Sequence, residues 1–180
     1  MTRWLALLAG INVGGKTTVP MAELREVFAG LGYQQVQTYI QSGNVIFEAD
    51  TPDESRLLSE IRPALSAAFG REIELILRKP AELEAVLAGN PFQGRQDDPT
   101  KLLVTFLAAA PAPDRTALLQ PPPAETGELK LVGREIYLHT PDGYGKSKLN
   151  NAYLSKVTGL PATTRNWKSI AKLCALITSP

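Results

Sequence analysis

Residues 36–47 read VQTYIQSGNVIF. Two runs rich in β-formers, 36–41 and 44–47, are separated only by Ser42-Gly43. So short a link leaves room for a tight turn, and the two runs must pair as an antiparallel hairpin. The segment just before the hairpin is helical. Pro20 sets a first turn, and Met21, Leu24, Val27, Phe28 and Leu31 recur at helical spacing until Gly30-Leu31-Gly32 stops the run. A helix followed by a hairpin excludes the regular strand-helix alternation that builds a parallel sheet.

The flanking segments complete a pattern. Residues 3–8 read as a short buried strand. A second helix is expected over 52–69, with Leu57, Leu58, Ile61, Leu65 and Phe69 inward and Pro63 as a kink. Residues 72–77 form a fourth strand. The order β-α-β-β-α-β is that of the ferredoxin-like split unit. The second half is less regular: a helix at 81–88, a polar loop at 93–99, a strand at 102–107, a short helix at 113–119, then Pro121-Pro122-Pro123. A hairpin of 128–132 and 135–139 turns at Gly133-Arg134, and two helices, near 148–157 and 164–177, close the chain. The expectation is an α+β fold: a ferredoxin-like subdomain over 1–79 and a second, smaller α+β subdomain over 80–180, or both integrated in one domain. The second half echoes a β-α-β-β-α order.

Between the first strand and first helix lies GINVGGKT. Gly10 to Thr17 satisfies the letters of the phosphate-binding loop, G-x-x-x-x-G-K-[ST]. That loop works because its Lys and Thr open the following helix, whose free amides face the phosphates. Here Pro20 places the helix start too late, and the hairpin topology is wrong. What remains is a glycine loop that either turns the chain or, with Asn12 and Lys16, holds an anion.

The chain has 180 residues, 44% of them hydrophobic and 21% charged, which is ordinary for a globular protein. The longest apolar stretch, from Trp4 to Val13, is half of what a spanning helix needs. It superficially resembles a signal peptide, but Asn12 interrupts it and no cleavage site follows. A single cysteine, Cys174, precludes an intrachain disulfide and fits a cytoplasmic setting. With one His and one Cys, no N/S metal site is expected. No cofactor and no membrane partner are implied. Net charge is +1, unevenly spread: residues 1–100 hold 9 Lys/Arg against 13 Asp/Glu, and residues 101–180 hold 10 against 5. After Gly143 there are Lys146, Lys148, Lys156, Arg165, Lys168 and Lys172 and no acid. This is an anion-facing surface or a set of solubilising charges.

Taken together, GINVGGK, PM-x-x-L and TYIQSGNVIF, with GYGKSKLNNAYL and TTRNWKSIAKL near the C-terminus, resemble the bacterial family called domain of unknown function 1697. The resemblance spans essentially the whole chain. It implies a ferredoxin-like subdomain with a second α+β part, and no reaction. Relatives usually carry Arg where this chain has Ala9.

Four segments, 10–16, 41–44, 143–148 and 163–168, are rich in small, polar and basic residues. They supply the candidate ligand-binding set: Asn12, Gly14, Gly15, Lys16, Ser42, Asn44, Tyr144, Lys146, Lys148, Arg165 and Asn166. Thr163 or Thr164 is placed to cap the last helix. Its apolar stripe of Trp167, Ile170, Ala171, Cys174 and Ile177 reads as core, as do Leu149, Ala152, Tyr153 and Val157. Tyr144, between glycines, reads as exposed and able to stack on a base. His139 reads as a surface residue at a strand end, and a Ser-His-Asp triad with Asp142 and Ser42 or Ser147 has no local support. Asp97-Asp98 reads as solvated. No catalytic residue stands out. Three readings follow: a binding module for nucleic acid or a phosphorylated small molecule, an enzyme acting on a small anion between the two halves, or a structural protein. Oligomeric state is not encoded legibly.

Overall fold

The computed structural model describes residues 1–13, 18–95 and 98–180. The chain divides into two compact units, Met1–Glu82 with Leu176–Pro180, and Leu83–Ala175. Among the described residues the fold is α+β, with two four-stranded antiparallel sheets.

The first unit runs β1 (Thr2–Leu8), α1 (Met21–Gly30), β2 (Gln34–Tyr39), β3 (Asn44–Ala49), α2 (Glu54–Phe69) and β4 (Leu75–Arg78). Its sheet order is β2-β3-β1-β4, the ferredoxin-like arrangement expected from the sequence. Strand β1 pairs with β3 on one side and β4 on the other. Alternate side chains of the sheet, Trp4, Ala6 and Leu8 with Val45, Phe47, Leu75 and Leu77, pack with Leu24 and Phe28 of α1 and Leu57, Ile61 and Leu65 of α2. Phe47 sits among aromatics: its ring centroid is 5.1 Å from that of Phe28, edge-on, and 4.8 Å from that of Tyr33. Leu5 and Leu7, on the other face of β1, are also fully buried, so the strand reads as a continuous apolar run rather than an alternation. Arg3 pairs with Glu48 opposite it at 3.0 Å and also donates to the carbonyls of Ile177 and Ser179, tying down the C-terminal residues.

Local signals explain most boundaries. Asp53 caps α2 by accepting from the N–H groups of Ser55 and Arg56, and Gly70 ends it in the left-handed region. The helix continues through Pro63. Proline withholds the donor that the Ser59 carbonyl would take, but both residues are exposed, so water can replace that bond. The β2–β3 turn is longer than the expected two residues: Tyr39 pairs with Asn44, leaving residues 40–43 as the turn. Gly43 has φ +85°, and a β-carbon there would lie 2.6 Å from Ile11 Cδ1. Glycine is thus required twice, for its conformation and for its size.

The second unit contains most of α3 (Pro80–Ala88), whose first three residues belong to the first unit, then β5 (Leu102–Leu107), α4 (Pro113–Thr116), β6 (Glu128–Val132), β7 (Glu135–His139), α5 (Asn151–Thr158) and β8 (Ala162–Asn166). Helix α6 (Trp167–Thr178) closes the chain. The sheet order β6-β7-β5-β8 repeats, strand for strand, the connectivity of the first sheet. Thus the echo in the sequence is a second complete β-α-β-β-α-β pattern, whose last strand falls where helical spacing predicts the start of a helix. Residues 162–166 are short and polar, and Trp167, Ile170 and Cys174 extend a helical spacing back to Thr164. Pairing with β5 decides otherwise, since Thr164 lies opposite Thr105 and their hydroxyls meet at 2.7 Å. Consequently neither Thr163 nor Thr164 caps α6; Asn166 does, accepting from the Ser169 N–H at 2.8 Å.

The core of this unit gathers Leu103, Leu107, Ile136 and Leu138 with Leu119, Leu149, Leu154 and Ala162. Tyr153 and Val157 pack against it, while Ala152 and Ala171 are exposed. Cys174 is buried, with its thiol pKa pushed up first by burial and then by Glu84.

Two substitutions test this packing in urea denaturation. Phe47→Ala should lower unfolding free energy by ~3–5 kcal/mol, as buried aromatic truncations do. Gly43→Ala should cost at least ~1–2 kcal/mol, since left-handed strain is added to a core clash. Unchanged midpoints would refute the assigned burial of Phe47 or the turn geometry.

Candidate functional site

The structure separates the sequence-derived candidates into residues committed to the fold and residues facing a cavity. Asn12 belongs to the first group. Its Nδ2 donates to the carbonyls of Val19 (3.1 Å) and Gln41 (2.7 Å), and its Oδ1 accepts from the Val19 N–H (2.7 Å). One side chain therefore joins the β1–α1 loop to the β2–β3 turn. Asn44 is fully buried and donates to the Tyr39 carbonyl and to Ser42 Oγ, closing that turn from within. Gly14, Gly15 and Lys16 lie outside the described residues, as does Asp97. Helix α1 starts at Met21 with Pro20 at its cap, and the sheet is antiparallel. Both facts oppose the nucleotide-loop reading of Gly10 to Thr17.

Arg165 and Asn166 are also engaged. The Arg165 guanidinium is buried and donates to Thr163 Oγ1 (2.7 Å) and the Thr164 carbonyl (3.1 Å). Burial pulls its pKa down to about 10, so it remains charged at neutral pH. Tyr144 is not the exposed platform expected from its glycine neighbours. It packs half-buried against the second core, with Thr164 and the Asn151 backbone at its hydroxyl, and its pKa is raised chiefly by burial. His139 is likewise half-buried at the end of β7, with Nδ1 3.9 Å from Glu128 Oε1. Asp142 and Ser147, the suggested triad partners, bond to Thr126 and Glu125.

The remaining two candidates, Lys146 and Lys148, face a cavity of about 430 Å³ in the second unit. One wall is the connector after the three prolines, contributing Ala124, Glu125 and Thr126. The other is the β7–α5 loop, contributing Thr140, Asp142, Gly143 and Lys146 to Lys148. The walls are joined by Glu125, which the sequence reading passed over. Its Oε2 accepts from the Lys148 N–H at 2.6 Å. Its Oε1 accepts from the Gly127 N–H at 2.7 Å and from Ser147 Oγ at 3.2 Å. The Lys148 amide thus holds an internal carboxylate, while the Lys146 and Ser147 amides bond to the Gly143 and Tyr144 carbonyls. The Lys148 amide is the main reason that the Glu125 pKa lies below its ordinary value, with Gly127, Ser147 and the Lys148 charge helping and burial opposing. No sequence rule pairs Glu125 with residues 22 and 23 positions later.

The lysines are disposed differently. Lys146 and Lys148 side chains are exposed. Lys101 Nζ lies near the same loop, 3.9 Å from the point a β-carbon on Gly143 would occupy. Among the described residues no carboxylate oxygen lies within 4 Å of these three ammonium groups. Asp142 Oδ2 accepts from Thr126 Oγ1 at 2.5 Å. The lining contains no aromatic or large apolar side chain. Another residue missed in sequence is Arg78, fully buried at the end of β4, where Nη1 donates to the Leu77 carbonyl at 2.8 Å. An arginine closing an apolar strand gives no sequence sign of burial. Among the described residues there is no group of three or more His, Cys, Asp or Glu placed to hold a metal ion, and no helix is long and apolar enough to cross a membrane.

A family model described as "Protein of unknown function (DUF1697)" matches residues 1–137. The chain belongs to this family. The structure is also similar to one titled "The structure of conserved bacterial protein SP0830 from Streptococcus pneumoniae", with 25% identity, TM-score 0.78 and 99% of each chain covered. No curated protein matches. Membership of DUF1697 supports the family resemblance and the fold; the family's description names no activity.

The Glu125 tie yields a pH prediction. A carboxyl whose pKa is lowered by folding adds stability above its unfolded value, and that contribution disappears as pH falls through the folded pKa. Glu125→Gln should therefore lower stability at pH 7 by ~1–2 kcal/mol, the scale of a charged hydrogen bond at a partly exposed site. The gap to wild type should close as pH drops below the ordinary carboxyl value of 4.5. Separately, Asn12→Ala should cost ~2 kcal/mol by thermal or chemical denaturation, because three hydrogen bonds end on one side chain. A neutral Asn12→Ala would show that the loop and turn are held by something else.

Proposed function

We propose that this DUF1697 protein binds a small phosphate-bearing ligand at the Glu125–Lys148 cavity. The observation that carries the reading is the pair of exposed lysines, Lys146 and Lys148, lining a polar cavity, with no carboxylate oxygen within 4 Å of either ammonium group among the described residues. Like charges lining one cavity repel, and an anion between them relieves that repulsion. In this reading the lysine side chains at the rim supply the contacts, while the Lys148 amide stays with Glu125.

Burial supports a small ligand over a nucleic acid. Ferredoxin-like domains that bind RNA lay bases on an open sheet face bearing aromatic side chains. Here the central strands are buried on both faces: Trp4 through Leu8 in β1, and Leu102 through Leu107 in β5. Tyr144, the aromatic nearest the lysines in sequence, is packed inward.

The test is titration of inorganic phosphate and glucose 6-phosphate by calorimetry and amide NMR at low and moderate salt. Binding should weaken with added salt, and the double variant Lys146→Glu/Lys148→Glu should weaken it at least tenfold while leaving the unfolding midpoint nearly unchanged. Shifts in the NMR spectrum should centre on residues 140–148. Binding that ignores both salt and charge reversal would refute the site.

A further inference from the structure

We infer that the ligand of this cavity carries hydroxyl groups as well as phosphate, so that a non-aromatic sugar or polyol phosphate, rather than phosphate alone or a nucleotide, is its chemical class. The inference rests on the reading above for the phosphate end and adds what the rest of the cavity recognises.

Lysine ammoniums alone would suit any anion. The same cavity also carries a carboxylate with spare capacity. Asp142 Oδ2 takes the Thr126 hydroxyl at 2.5 Å, and among the described residues no protein donor reaches Oδ1. A carboxylate oxygen facing a cavity accepts hydrogen bonds and repels phosphate, so its natural ligand partner is a hydroxyl. Thr126 has given its proton to Asp142 and can only accept from a ligand. Thr140 is 1% exposed and spends its hydroxyl on the Lys101 carbonyl at 3.3 Å, so it offers a ligand little. The polar groups thus divide into cations, which suit phosphate, and acceptors, which suit hydroxyls. Glu125 does not compete for this role, because both its oxygens are held by the protein.

Size and lining narrow the class further. About 430 Å³ is within the range of small-ligand sites and far larger than inorganic phosphate needs. No aromatic or large apolar side chain lines the cavity, so nothing is there to stack on a nucleobase.

The probes are inorganic phosphate, glucose 6-phosphate, ribose 5-phosphate and AMP, titrated into the wild-type chain. At least one sugar phosphate should bind tenfold or more tightly than inorganic phosphate, and AMP should gain nothing over ribose 5-phosphate. Asp142→Asn, whose amide keeps the size and keeps an acceptor for Thr126, should remove most of that tenfold preference while inorganic phosphate binds as well as before or better. Equal binding of phosphate and both sugar phosphates by wild type would overturn this inference and leave the phosphate site standing. Tighter binding of AMP would overturn it in favour of a nucleotide. Failure of every probe to bind would overturn both. The wild-type comparison needs no variant to fold, and the unfolding midpoint of Asp142→Asn reports whether its loss of preference is local.

Discussion

Each half of the protein depends on one central strand hydrogen-bonded on both sides to strands far away in sequence. Strand β1 holds β3 and β4, and β5 holds β7 and β8. Neither strand can be removed without orphaning two neighbours, and each is buried along its whole length or nearly so. The helices need the sheet as much as the sheet needs them: Leu24, Phe28, Leu57, Ile61 and Leu65 have their partners on one sheet face. Loops at the strand ends are then free to vary in chemistry while their positions stay fixed.

Two of those loop regions show how similar residue types serve different ends. At the β1–α1 loop, Asn12 spends every side-chain hydrogen bond on backbone, so a residue that looks like a ligand holder is a brace. At the β7–α5 loop, Glu125 holds the Lys148 amide from outside, while the Lys146 and Lys148 side chains are exposed and Lys148 Nζ reaches the Pro123 carbonyl at 3.5 Å. A cavity can form there because the stiff connector following three prolines stands opposite the loop and is tied to it through one carboxylate. The internal carboxylate and the external ligand proposed for this cavity therefore use different groups, amides for one and side chains for the other.

Particular residues show why some of this was legible and some was not. The first hairpin was readable because Ser42-Gly43 admits few turns, and α2 because Asp53 and Gly70 mark its ends. Strand β8 was not, because Thr163, Thr164 and Arg165 have no periodicity of their own and become a strand only by pairing with β5. The burial of Tyr144 was hidden for a similar reason: glycine neighbours suggest exposure, but Thr164 and Asn151 come to it from elsewhere in the fold. Of the candidate set, Lys146 and Lys148 face the cavity, while Asn12, Asn44, Arg165 and Asn166 serve the backbone. A side chain's type does not say whether its partner is the protein or a ligand.

By itself the sequence determined the fold class, through local rules that need no distant partner: a helix followed by a tight hairpin, apolar runs of strand length, caps and glycines at element ends. It also determined the family, through motifs within residues 1–137, and the excess of cations after Gly143. Tertiary structure decided that the second half completes the same strand order as the first, that Glu125 takes the Lys148 amide, and that Lys146 and Lys148 line one cavity. These are contacts between residues tens of positions apart. Their energy comes from pairing and burial that exist only once the chain has closed on itself, so no local pattern announces them.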